Sequence, residues 1–291
     1  MTIDVTEIDD SAKALELDEI QREKERYERQ VAAFNVYAAR FDTPGLNKFY
    51  WYHTVDLGED IATPGDYDYR SSLEAFRFPD DMHGMRVLDI GSATGFFAFE
   101  FERRGAEVYS VELPSLLDWD MIADEREHVV RAMMQAHEAS SFEDAHWRIL
   151  DGPFTFCHQR RHSSIKRCFS TIYNLSPALF NGRQFDVVYL GDVLLHLFSP
   201  LAALNAIAPL CKHKLIIASD LMPGISEPIL RFMGQSNADG DSRTWWAFTR
   251  SSLADMLCRI GFRNIVDAGS YSGIHRRLLC RYERMVIHAT K

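Results

Sequence analysis

From residue 85 onward, short apolar runs alternate with segments of helical pattern, and this alternation constrains the fold more than any other feature. Four runs of strand length lie at 86–90, 107–111, 185–190 and 214–219. Helical segments follow at 96–104, 201–210 and 252–260. Strands that alternate with helices predict an α/β fold with an open, mostly parallel sheet and helices on both faces. The last two runs, 264–266 and 284–288, have no helical pattern between them and predict an antiparallel hairpin at one edge.

The interval between residues 111 and 185 is too long for one helix and one strand. We therefore place the third strand at 167–172 and predict an insertion within 118–165. A basic segment lies where the insertion meets this strand: Arg160, Arg161, His162, Lys166 and Arg167. It is interpreted either as a solvated loop, which we favour, or as a surface for RNA docking.

The first 82 residues have a different pattern from the rest. Residues 1–10 read as an acidic tail, and 11–41 read as one long helix. Its apolar stripe consists of Ile20, Tyr27, Val31, Phe34, Ala38 and Phe41. The stripe either packs on this chain's own core, which we favour, or forms the seam of a homodimer. Because 46–82 are rich in aromatic residues and turns, we predict an N-terminal helical and aromatic cap at 1–82 on a domain at 83–291.

Composition narrows the classes of function. The 291 residues contain 42 Asp and Glu against 32 Lys and Arg, a formal net charge of −10, which argues against a nucleic-acid partner. Apolar runs are too short to span a membrane, and the start lacks the pattern of a signal peptide, so a cytoplasmic protein is expected. Five cysteines, an odd number, argue against a disulfide framework. No metal is expected, because the group Cys157, His158, His162 and Cys168 fits no common ligand spacing.

The segment 87–97 is a strand, a turn of small residues and the start of a helix. Gly91 permits a tight turn at the end of the strand, and Ser92 and Ala93 let a ligand approach the backbone. Gly95 opens a helix whose free N–H groups favour a carboxylate. The pattern is neither the dinucleotide fingerprint nor a phosphate-binding Walker loop.

Two residues at the end of the second strand complete a ligand site. Glu112 can accept hydrogen bonds from both hydroxyls of a ribose, and Leu113 can cover the face of an adenine. Each feature alone is weak, since a glycine turn is often only a tight connection and a terminal acid is often only solvated. The order and spacing together indicate a nucleoside-containing ligand.

These motifs resemble those of the class I S-adenosylmethionine (SAM) methyltransferases, from about residue 85 to 291. The resemblance implies a Rossmann-like fold, SAM as cofactor, and an adenine loop at 170–175. The fourth motif of the family corresponds to 191–200, with Asp192 at the end of its strand. The cofactor residues implied are Asp89, Gly91, Ser92, Ala93, Gly95, Glu112, Leu113, Thr171, Ile172, Gly191 and Asp192. For Asp192, a helix cap is the alternative.

Candidate catalytic and acceptor-binding residues follow from this assignment. His196 has a side chain suited to act as a general base, with a polar packing role as the alternative, and His53 is a second candidate base. Four aromatic residues are predicted to bind the substrate, unless they only pack the cap on the domain: Tyr52, Tyr69, Trp245 and Trp246. The segment 237–243 is read as a flexible loop that closes over the acceptor.

A narrower resemblance, at 51–57, 63–65 and 245–249, is to a bacterial subgroup similar to the wobble-uridine tRNA carboxymethyltransferases. Leu195 stands where those enzymes carry a tyrosine, so plain SAM and methyl transfer are expected. We predict transfer to a hydroxyl, or an amine, of a small molecule such as a sugar or secondary metabolite. The alternatives are a wobble-uridine tRNA methyltransferase and a non-catalytic SAM-binding partner protein.

Overall fold

The computed structural model describes residues 5–234 and 243–291, with side chains from residue 17 onward. In this part of the chain, a seven-stranded sheet forms the centre. Its strands are β1 (Arg86–Ile90), β2 (Glu107–Glu112), β3 (Lys166–Phe169), β4 (Phe185–Gly191), β5 (Cys211–Ser219), β6 (Asn264–His275) and β7 (Cys280–Thr290). The spatial order is β6-β7-β5-β4-β1-β2-β3, and only the pairs that involve β7 are antiparallel. The predicted α/β fold and its edge hairpin are confirmed.

The helices flank this sheet. They are α1 (Val5–Ala38), α2 (Phe96–Arg103), α3 (Ala123–Ala136), α4 (Phe142–His146), α5 (Gly152–Arg160), α6 (Pro200–Ile207) and α7 (Arg250–Arg259). The predicted insertion contains α3, α4 and α5, with a π-helical turn at Trp147–Asp151. None of the helices described is long and apolar enough to cross a membrane.

Two boundaries differ from the predicted ones. Helix α1 begins at Val5, so most of the expected acidic tail is helical, and it ends at Ala38 rather than at Phe41. The third strand stops at Phe169, and a 3-10 turn at Ile172–Asn174 replaces its predicted end. These shifts of a few residues arise because an apolar pattern does not mark the residue at which a helix or strand ends.

The apolar stripe of α1 packs on the chain's own core. Phe34 is 2% exposed, and its ring lies 5.0 Å from that of Trp51 and 6.3 Å from that of Phe156. Burial of such large rings against the sheet's flanking helices stabilises the cap by removing apolar area from water. The homodimer and the division at residue 82 stay predictions.

The hairpin formed by β6 and β7 contacts the N-terminal region, although the two lie far apart in the sequence. Arg276 is 1% exposed and donates hydrogen bonds to Glu23 at 2.7 Å, Gln30 at 3.0 Å and Thr54 at 3.0 Å. A buried guanidinium requires such partners, because an unpaired buried charge is strongly unfavourable. Arg276, together with an ion pair between Arg281 and Glu19, therefore connects the first helix to the last hairpin.

The basic segment is largely engaged within the fold. The guanidinium of Arg160 lies 4.5 Å from the Phe41 ring centroid, Arg161 donates to the Asp56 carbonyl, and Lys166 pairs with a glutamate at 2.5 Å. Arg167 is buried with four polar partners on neighbouring elements. The expectation of a solvated loop is thus wrong for Arg167, because strand β3 turns its side chain inward.

A small three-stranded sheet lies near the end of β5. It consists of Leu221–Met222, Leu230–Phe232 and Trp246–Thr249. The loop predicted to close over the acceptor, 237–243, lies outside the described residues except for Arg243.

Candidate cofactor and acceptor site

A cavity of about 480 Å³ opens at the carboxyl ends of β1, β2 and β4. This is the edge of an open α/β sheet at which ligands bind. All predicted cofactor residues except Ser92 and Gly95 line the cavity. Both candidate histidines and the two predicted tyrosines, Tyr52 and Tyr69, line it as well. Its volume lies within the range of small-molecule sites, roughly 300–1,000 Å³.

In the turn after β1, three of the five residues from 91 to 95 have a left-handed backbone conformation. Gly91, Ala93 and Gly95 have φ angles of 74°, 45° and 95°. A Cβ at Gly91 would lie 2.7 Å from Val193 Cγ2, so glycine is required there for space as well as for φ. Ala93 adopts the left-handed conformation at a cost of roughly 1–2 kcal/mol. The strained turn places its backbone at the wall of the cavity.

Glu112 supports the turn from the end of β2. Its two carboxylate oxygens accept the backbone N–H groups of Ala93 at 2.8 Å and Leu113 at 2.9 Å. Each oxygen keeps capacity for a second hydrogen bond, and the residue lines the cavity. Glu112 is therefore placed to accept a pair of hydroxyls such as those of a ribose.

Asp89 is a buried carboxylate in the wall of the cavity. The residue is 2% exposed, and its Oδ2 atom has no hydrogen-bond partner in the described part of the chain. Burial and the nearby Glu112 raise the pKa of Asp89 to about 7. A buried carboxylate oxygen without a partner is rare and unfavourable. A ligand with an ammonium group would supply both the donor and the charge, so the residues present fit SAM.

Ser92 and Gly95 belong to the turn but face away from the cavity. Ser92 Oγ lies 2.6 Å from Ser110 Oγ and is buried, so its side chain is directed away from the cavity. Gly95 is the N-cap of α2, and a Cβ there would lie 2.7 Å from the Phe154 ring. In this structure neither residue lines the cavity, and their contact with the cofactor stays a prediction.

His196 lies in the 3-10 turn Leu194–His196 after β4, at the cavity wall. Its Nδ1 atom lies 2.6 Å from the Arg243 carbonyl oxygen. A carbonyl oxygen can only accept, so Nδ1 carries the proton and the neutral ring has its acceptor lone pair on Nε2. This tautomer is the one that a general base working through Nε2 requires.

His53 has a different environment. It is 5% exposed, it is surrounded by the rings of Tyr52, Tyr69 and Phe97, and its Nδ1 atom has no partner among the described residues. Burial lowers the pKa of His53 to about 3. The imidazole is therefore neutral at physiological pH and is a weak base, but it can accept or donate one hydrogen bond.

The part of the cavity at Asp192 and Arg284, which we call the acceptor end, contains an ion pair that the sequence pattern did not single out. Arg284 Nε donates to both carboxylate oxygens of Asp192, at 2.8 and 2.7 Å. Asp192 is thus an ion-pair partner rather than a helix cap. The available signal was the charge at the start of the run 284–288, since Arg284 precedes three apolar residues. Near the pair, the cavity is lined by the phenols of Tyr52, Tyr67, Tyr69 and Tyr271.

Trp245 and Trp246 lie outside the cavity lining. The Trp245 indole donates to the Asp120 carbonyl at 2.5 Å, and the Trp246 indole donates to the Phe198 carbonyl at 3.2 Å. Trp245 is also 7% exposed and packs on the ring of Phe198. Both indoles support the segment that carries His196, and their contact with substrate stays a prediction.

The described residues, 5–234 and 243–291, contain no group of three His, Cys, Asp or Glu side chains placed to hold a metal ion. The sheet order, the glycine turn after β1 and the acid at the end of β2 together define a SAM-dependent methyltransferase of class I.

Comparison with known proteins agrees with this class. A family model described as a methyltransferase domain matches residues 65–267, well over half of the chain. The chain therefore belongs to this methyltransferase family.

Individual proteins match this chain either over a short segment or at low sequence identity. The magnesium-protoporphyrin O-methyltransferase of Rhodobacter capsulatus is 49% identical over 43 residues, which span 14% of this chain and 19% of that enzyme. Magnesium protoporphyrin IX methyltransferase of Synechocystis PCC 6803, solved with S-adenosylhomocysteine (SAH), is 15% identical over 72% of this chain and 75% of that chain, with a TM-score of 0.44. The 1,6-didemethyltoxoflavin-N1-methyltransferase of Burkholderia thailandensis is 16% identical over 72% of each chain, with a TM-score of 0.45.

Proposed function

We propose that this protein transfers a methyl group from SAM to a hydroxyl, or an amine, of a small molecule. The observation that carries the proposal is one continuous cavity. It joins the turn at Gly91 and the carboxylate of Glu112 to His196 and a phenol-lined end. A cofactor held at the first part therefore faces an acceptor held at the second.

The cofactor would supply an electrophilic methyl group on a sulfonium. Glu112 would accept the ribose hydroxyls, and Asp89 would hold the ammonium group. Leu113 and Ile172 are apolar side chains at the cavity wall and would cover the adenine. Because such a transfer needs alignment and exclusion of water, binding geometry supplies much of the rate.

His196 is proposed to take the proton from the acceptor. The Nδ1–H bond to the Arg243 carbonyl orients the ring and stabilises the imidazolium that forms. His53 is too weak a base for this step because burial lowers its pKa to about 3. We assign His53 a hydrogen-bonding role toward the bound molecules instead.

The acceptor end favours a small neutral molecule. The charge of Asp192 is balanced by Arg284, and the remaining lining is rich in phenols, which stack on rings and hydrogen-bond to hydroxyls. A tRNA acceptor is less well supported, since Arg160, Arg161, Lys166 and Arg167 are engaged within the fold.

The test is to incubate the pure protein with methyl-labelled SAM and separate small-molecule, RNA and protein fractions of a cell extract. Label in the small-molecule fraction is the expected result and gives a product to identify by mass. Label in RNA would overturn the acceptor class. Bound SAM with no label in any fraction would favour a non-catalytic SAM-binding protein. Strongly salt-dependent tRNA binding would be an independent sign of an RNA acceptor.

A further inference from the structure

We propose that Arg167 is a positioning residue for the cofactor, which holds the glycine turn from behind and balances the two carboxylates of the cofactor site with its charge. This inference rests on the cofactor half of the proposed function and is independent of the acceptor. Arg167 lies on β3 at the edge of the sheet and does not line the cavity.

The contacts of Arg167 join three elements. Its Nη1 atom donates to Ser92 Oγ in the turn at 3.0 Å and to Ser110 Oγ in β2 at 3.2 Å. Its Nη2 atom donates to the Leu150 carbonyl at 3.3 Å, and Nε lies 3.2 Å from Asp151 Oδ1. The side chain is 8% exposed. One guanidinium therefore connects the cofactor turn, the second strand and the insertion.

A ring of the insertion fixes the plane of this guanidinium. The Arg167 Cζ atom lies 3.9 Å from the Phe154 ring centroid, a short distance for a stacked cation. The same Phe154 ring blocks any side chain at Gly95. The insertion thus contacts the turn twice, once directly and once through Arg167.

The turn needs such support because it is strained. Ala93 has a φ of 45°, and a left-handed alanine persists only when its surroundings hold it there. Glu112 holds Ala93 from the cavity side, while Arg167 holds the preceding residue, Ser92, from the opposite side. Loss of the guanidinium would free the turn on one of these two sides.

The charge of Arg167 acts on the same site. The charged groups around it are Asp89 on β1, Glu112 on β2 and Asp151 in the insertion. Burial and Glu112 raise the pKa of Asp89 to about 7, while Arg167 opposes that rise. Without the guanidinium, Asp89 would be neutral at pH 7 and would bind an ammonium group poorly.

The test measures the dissociation constant of SAH by calorimetry between pH 6 and 9, with no acceptor present. For the wild-type protein, binding should weaken as the pH falls below about 7. Arg167→Met should bind SAH about tenfold more weakly at pH 7, with the midpoint of the pH profile at higher pH. Arg167→Lys keeps the charge, so it should lose a few-fold in affinity with the midpoint unchanged.

Two further variants separate positioning from folding. Ser92→Ala removes one partner and should weaken SAH binding without moving the pH midpoint. Arg161→Met is the matched control, because Arg161 also lies over a ring, at 5.3 Å from Phe99, and also donates to a backbone carbonyl, but it does not touch the turn. Its SAH affinity should equal that of the wild type.

The inference is overturned if Arg167→Met binds SAH within twofold of the wild type with the same midpoint. It is also overturned if Arg161→Met loses as much. Should Arg167→Met fail to fold, unchanged affinity in both Arg167→Lys and Ser92→Ala would overturn it. Absence of SAH binding by the wild-type protein would refute the cofactor site itself, and an acceptor that stays unidentified would affect neither result.

Discussion

The two ends of the cavity are built in opposite ways. The cofactor end comes mainly from one short stretch of chain, from Asp89 to Leu113, in which a strand, a turn, helix α2 and a second strand follow one another. The acceptor end draws on the cap, on the turn after β4 and on the last hairpin. A site made of consecutive residues can be recognised from local sequence, whereas a site made of distant segments appears only when the chain is folded.

The electrostatics of the two ends differ as well. At the cofactor end, Asp89 and Glu112 face the cavity, and the balancing Arg167 lies behind the turn. At the acceptor end, Arg284 neutralises Asp192 within the wall itself. This difference is the basis for proposing a cationic ligand at the first end and a neutral one at the second.

The largest effect is expected at the turn. Gly91→Arg places a side chain where a Cβ would already lie 2.7 Å from Val193, so SAM binding should be lost, by more than about 100-fold. Gly84→Arg is the matched control, because its φ of 75° is nearly the same and no atom lies within 4 Å. Calorimetry with SAH measures both. Equal affinity in the two variants would mean that the turn does not bind the cofactor.

At the acceptor end, Arg284→Met should lower the free energy of unfolding by about 3 kcal/mol, because it leaves the charge of Asp192 largely buried without its partner. The double variant, Arg284→Met with Asp192→Asn, should recover most of the lost free energy of unfolding. Arg131→Met breaks an exposed pair with Glu127 and should cost less than about 1 kcal/mol. Urea unfolding compares the three. Equal losses from Arg284→Met and Arg131→Met would contradict the role of the buried pair.

His196→Ala should reduce kcat about 100-fold and leave SAH affinity unchanged, since the ring is proposed to act on the acceptor's proton. His213→Ala is the control, because that imidazole is exposed and pairs only loosely with Asp186. Turnover at saturating SAM is the measurement, made once an acceptor has been identified. A loss below threefold would leave His196 with a structural role.

The smallest effect concerns stability at the cofactor end. Because the pKa of Asp89 is raised to about 7, the folded protein binds a proton more tightly than the unfolded chain does. Stability therefore falls as the pH rises from about 4 to 7. Asp89→Asn should melt at least about 2 °C above the wild type at pH 8, and the gap should close by pH 5. The same variant should bind SAH more weakly. A melting difference that does not depend on pH would contradict the assigned pKa.

The sequence predicted the regular parts well for a physical reason. Buried parallel strands and their connecting helices leave periodic apolar patterns, and the Gly91 turn needs residue types that few other structures need. The sequence could not show that Arg167 lies under the turn, because a basic residue near a loop reads as solvated. It also could not show that Trp245 and Trp246 lie outside the cavity lining, since an aromatic pair has the same sequence pattern whether it lines a cavity or packs behind its wall.

The hydrogen bond between Arg276 and Glu23 joins residues that are 253 positions apart. During synthesis from the N-terminus, the cofactor turn and its neighbouring strands are complete long before this contact can form. The acceptor end closes only after the final hairpin has been made and docked on the first helix. A chain that ended before β6 would lack both Arg284 and the contacts of Arg276 with the first helix, so the cofactor end would be made without the acceptor end.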